Sequence, residues 1–155
     1  MTPRARTNQL LYQAQLLLDV APGDDEHQGA RKRASEEGAL ALFELAIDAL
    51  LRDVCEHAHL AEHDWRSLLL GDDPPAVAEV HRLRELARDG SSWLYRVIGH
   101  LEALHGDEGV SRPRSPALSG VIAVDRQADL GQELQHCLEA AKVEIAALRQ
   151  TSEEW

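Results

Sequence analysis

The residues best suited to chemistry are gathered between positions 52 and 63, where Cys55-Glu56-His57-Ala58-His59-Leu60-Ala61-Glu62-His63 follows closely on Arg52. Each step along a helix turns about 100°, so Cys55 and His59 share one face, and His63 continues it if the helix lasts that far. Arg52 and Glu56 lie near that face, and Asp48 lies one turn before Arg52. A thiolate and two imidazoles on such a ladder are ligands for zinc or another divalent transition metal. Helical bundles usually assemble these centres from several helices, which makes His100, His105 and His136 the candidates to complete it. The plainer expectation, and the one adopted, is a polar flank turned to solvent opposite the stripe of Leu40, Ile47 and Val54, with no cofactor. The HExxH pattern of zinc proteases is absent.

The segment Arg52-Asp53-Val54-Cys55-Glu56-His57 also resembles the short arginine-to-histidine signature of HEPN domains, helical bundles that often dimerise and in many cases cleave RNA. That resemblance implies Arg52 holding a phosphate while His57 moves a proton at the ribose hydroxyl. Five helical steps set the two side chains about 140° apart, so a dimer cleft would have to gather them. The competing expectation pairs Arg52 with Asp48 or Glu56 at helical spacing and leaves His57 at the edge of the core near Leu50. No catalytic residue is assigned on this basis.

Elsewhere the chain argues against several jobs. Among its 155 residues 27 are acidic and 16 basic, a formal charge of −11. Such a surface disfavours DNA, RNA and anionic membranes, all of which call for a basic face. The one basic run, Arg31-Lys32-Arg33, is too short to reverse that. Arg112-Pro113-Arg114-Ser115-Pro116 reads as an exposed loop. No glycine-rich phosphate loop follows a strand, and no G-x-S-x-G elbow occurs. Aromatics make up 4%, too few for a base-stacking platform. Cys55 and Cys137 stand far apart and outside any CxxC pair. No apolar run approaches the roughly 18 residues of a membrane span, and the polar opening is unlike a signal peptide, so a cytoplasmic setting is expected.

The elements that position these residues are helical. Thr7 is the expected cap of a first helix with Leu10, Ala14, Leu17 and Ala21 on one face, ended by Pro22-Gly23. Ser35 is the expected cap of a long second helix reaching Leu60, with Arg31 to Ala34 open to being helical too, its stripe running through Leu40, Phe43, Ile47, Leu50 and Val54. A short turn from Trp65 to Leu70 closes at Gly71, and Asp73-Pro74-Pro75 opens a third helix. Ser91 or Ser92 caps a fourth, with Leu94, Val97, Ile98, Leu101 and Leu104 inward. Gly106 to Val124 is irregular and carries one β-prone run, Val121 to Val124, expected to strap the bundle or to pair with a second copy of the chain. Asp125 opens the last helix, with Leu130, Leu134, Cys137, Leu138, Ala141, Ile145 and Leu148 inward. The sum is an all-α, up-and-down bundle of about five helices in one domain.

Arg6-Thr7-Asn8-Gln9-Leu10-Leu11-Tyr12-Gln13-Ala14 resembles the RTNQ-x-LY-x-A opening of a gammaproteobacterial domain-of-unknown-function family. Trp93-Leu94, the apolar run near Val121 and the closing Glu154-Trp155 resemble it too. The resemblance implies a short bacterial helical protein and supplies no catalytic residue. The expected role is a protein-interaction or regulatory module without catalysis, with a protein partner or self-association. Asn8, Gln9, Tyr12 and Trp155 are the expected contact residues.

Overall fold

The computed structural model describes residues 1–60, 64–75, 77–110 and 129–153. It is all-α: α1 (Pro3–Leu18), α2 (Gln28–His57), a single π-helical turn (Arg66–Leu70), α3 (Ala78–Arg88), α4 (Trp93–Leu104) and α5 (Leu130–Glu153). No helix among the described residues is long and apolar enough to cross a membrane.

The cap of the first helix lies five residues before the expected one. Thr2 is the cap: its hydroxyl accepts from the Ala5 amide at 3.2 Å, with Pro3 in the first turn. Thr7 lies inside α1, 0% exposed, and its hydroxyl donates to the Pro3 carbonyl at 2.9 Å. The Thr2-Pro3 pair supplies both the capping oxygen and the pre-set φ, so the helix starts there. It ends at Leu18, with Asp19 as its C-cap and not Ala21.

The second helix starts seven residues before Ser35 and stops three before Leu60. Asp25 accepts from the His27 amide at 2.9 Å, and Arg31 donates from Nε to the Pro22 carbonyl at 2.7 Å and also pairs with Asp25. Those bonds close the turn and let α2 start at Gln28. At about 1.5 Å per residue its 30 residues span about 45 Å. Beyond His57 the backbone leaves the helix, and His59 takes a left-handed φ of 57°.

The diproline does not start α3. Asp73 and Pro74 both precede a proline, which disfavours helical backbone, and Val77 is still extended. The approach is tied down by Arg84, which is buried in α3. Its Nε and Nη2 donate to the Leu68 carbonyl at 2.9 and 2.7 Å, and Nη1 donates to the Asp73 carbonyl. Gly71 is required where the π turn ends, because a β-carbon there would collide with the Ser67 carbonyl. Ser92 caps α4 as expected, accepting from the Tyr95 amide at 3.1 Å. The apolar run at 121–124 and the segment from Asp125 to Ala128 lie outside the described residues.

One continuous core unites the helices. Leu10, Leu11 and Ala14 of α1 face α2 and α5, and α4 packs on α2, α3 and α5. At its centre Phe43 stacks on Trp93, ring centroids 5.9 Å apart and planes 30° from parallel. Polar clasps bridge the rim: Lys32 to Asp129 at 2.6 Å, Arg82 to Glu144 at 2.9 Å and His100 to Glu133 at 3.1 Å.

Candidate functional site

The end of the bundle where α2 and α5 finish holds a cavity of about 400 Å³. Its floor is apolar, from Leu50 and Val54 of α2, Val77 before α3 and Leu148 of α5. Polar and charged groups ring it: Arg4 from the first turn of α1, Asp53 and His57 from the last turns of α2, Glu79 from the first turn of α3, and Arg149 from α5. Four helix ends converge here, so the side chains that would plug a closed core are replaced by polar ones.

Arg149 is the most constrained of the five. Its Nη1 donates to Asn8 Oδ1 at 2.8 Å and its Nη2 to the Arg4 carbonyl at 3.3 Å, joining α5 to α1. Its Nε is buried with no hydrogen-bond partner. Desolvation and the neighbouring charge of Arg4 push its pKa below the ordinary value, with Asp53 opposing. This contact also locates Asn8, an expected partner-contact residue: its side chain holds the Arg149 guanidinium.

The same end receives His57 but not Arg52. His57 lines the cavity, whereas Arg52 is exposed and outside it, as their separation around the helix requires. The cations that accompany His57 are Arg4 and Arg149.

The alternative of a metal ladder does not keep its register. Cys55 is 1% exposed and packs inward one turn after Leu51, so it belongs to the buried face of α2 and not to a solvent-facing flank. His59 is exposed and lies past the helix end, and His63 lies outside the described residues. Among the described residues no three of His, Cys, Asp or Glu converge as metal ligands. The candidate histidines for completing the ladder face elsewhere. His105 Nε2 meets both carboxylate oxygens of Glu44 at 2.9 Å, and Glu44 also accepts from Trp65 Nε1 at 2.9 Å. His100 pairs with Glu133, and His136 is exposed. Burial pushes the Cys137 thiol up to about 11, with Glu133 adding to the effect and Arg96 opposing it.

A second surface is the outer face of α1. Its inward face is Thr7, Leu10, Leu11 and Ala14, and the opposite side carries Tyr12 at 62% and Leu16 at 47% exposure. Ala5 and Gln9 extend that side towards the N-terminus at helical spacing. Gln9 is half-buried and accepts from Arg6 at 2.7 Å. Trp155 lies outside the described residues. Sequence reasoning missed Arg4, Asp53, Glu79 and Arg149. The available signal was the position of Arg149 directly after Leu148 on the inward stripe of α5.

Neither a curated protein nor a solved structure matches the chain. A family model does, over residues 1–155, so the chain belongs to DUF6586, a family of unknown function.

Proposed function

We propose that the protein is a protein-interaction module without catalysis, and that its contact surface is the outer face of α1, with a second copy of the chain as the partner. The supporting observation is the outward display of Tyr12 and Leu16 on a helix whose other side is fully packed. Tyr12 therefore does not serve the core, and an exposed aromatic beside an aliphatic residue is what protein interfaces favour.

The charges on α1 favour self-pairing. Arg4 and Arg6 sit in its first turns and Asp19 caps its C-terminus, opposite to what the helix dipole favours. An antiparallel partner α1 crossing at Tyr12 would bring Asp19 of one copy to the positive end of the other. It would also cover Leu16 of both. Asp19 accepts only from the amides of Gln15 and Gln135, at 3.0 and 3.5 Å, so no cation among the described residues neutralises it.

The test is the mass in solution across a dilution series, for the natural chain and for Tyr12→Ser with Leu16→Ser. The expected outcome is a concentration-dependent dimer that the double variant loses while keeping its helical content. A constant monomer mass up to millimolar concentration, or a dimer indifferent to both substitutions, would overturn the reading.

A further inference from the structure

We draw no further inference here: the strongest candidate, the cavity at the end of the bundle, is rimmed by cations and carboxylates alike, Arg4 and Arg149 beside Asp53 and Glu79, and nothing in the structure shows what covers its apolar floor.

Discussion

The two halves of α2 are built from the same residue types and end differently. From Leu40 to Ile47 the inward face of the helix is buried: Phe43 stacks on Trp93, and Ala39 and Ala46 are almost wholly covered. From Leu50 to Ala58 one side is as well packed, through Leu51 and Cys55, while the other borders an open cavity. Apolar content does not separate the halves, because Leu50 and Val54 are as greasy as Leu40 and Ile47. What separates them is the neighbour. In the middle, Trp93 of α4 packs its ring on Phe43, whereas the end is bordered by Arg4 of α1, Arg149 of α5 and the approach to a late-starting α3. A close-packed region and one that borders a cavity thus share a single helix, and the charged side chains gather at the cavity.

The comparison can be tested by substitution, and the largest effect is expected in the enclosed half. Phe43→Ala removes a fully buried ring and its stacking partner, and should cost about 3–5 kcal/mol in chemical denaturation. Arg84→Met should cost about 2–3 kcal/mol, because it strips two loop carbonyls of a charged donor. It should also loosen the π turn and the start of α3, visible as faster amide exchange there. A paired enlargement separates the halves directly. Ala46→Leu, 1% exposed before the change, should cost about 1–3 kcal/mol by overpacking. Val54→Leu, beside the cavity, should stay within about 0.5 kcal/mol. Equal costs would dissolve the distinction between the halves. The smallest effect belongs to the exposed turn between α3 and α4, which serves as the baseline. The hydroxyl and amide of Ser91 donate to Asp89 and hold its carboxylate below the ordinary value of 3.8. The folded-state pKa is depressed, so this contribution is present above 3.8 and fades as pH falls through the lowered value. In an NMR titration Ser91→Ala should move Asp89 back up towards 3.8.

Local periodicity made most of the fold legible. The stripes of α2, α4 and α5 follow from apolar residues at three- and four-residue spacing, and Ser92 is visible as a cap. Thr7 misled because a threonine before an apolar stripe satisfies the capping rule. Only the stronger Thr2-Pro3 pair upstream shows that the helix had already begun. Cys55 misled by its chemistry: grouped with the histidines it suggests a ligand, yet Phe43, Ile47, Leu51 and Cys55 form one ladder of four-residue steps. Read as a small apolar residue, it continues the core. The cavity was beyond reach for a different reason. Asn8 and Arg149 meet across 141 residues of chain, and no local pattern encodes a contact between a first helix and a last one. Such pairings are fixed by the packing of whole helices, so only the assembled bundle discloses which charges share a space.

The two thiols lie in different helices, one in the half of α2 beside the cavity and the other in α5 against α4, and both are buried. That placement makes the protein its own recorder of transient opening. A thiol reagent can reach each cysteine only while its surroundings are breached, so labelling rates measure the free energies of two separate opening events. Cys55 should be modified through partial opening of the loosely filled end, well before global unfolding. Cys137 should await unfolding of the whole bundle, so the ratio of the two rates gives the cooperativity between the two regions.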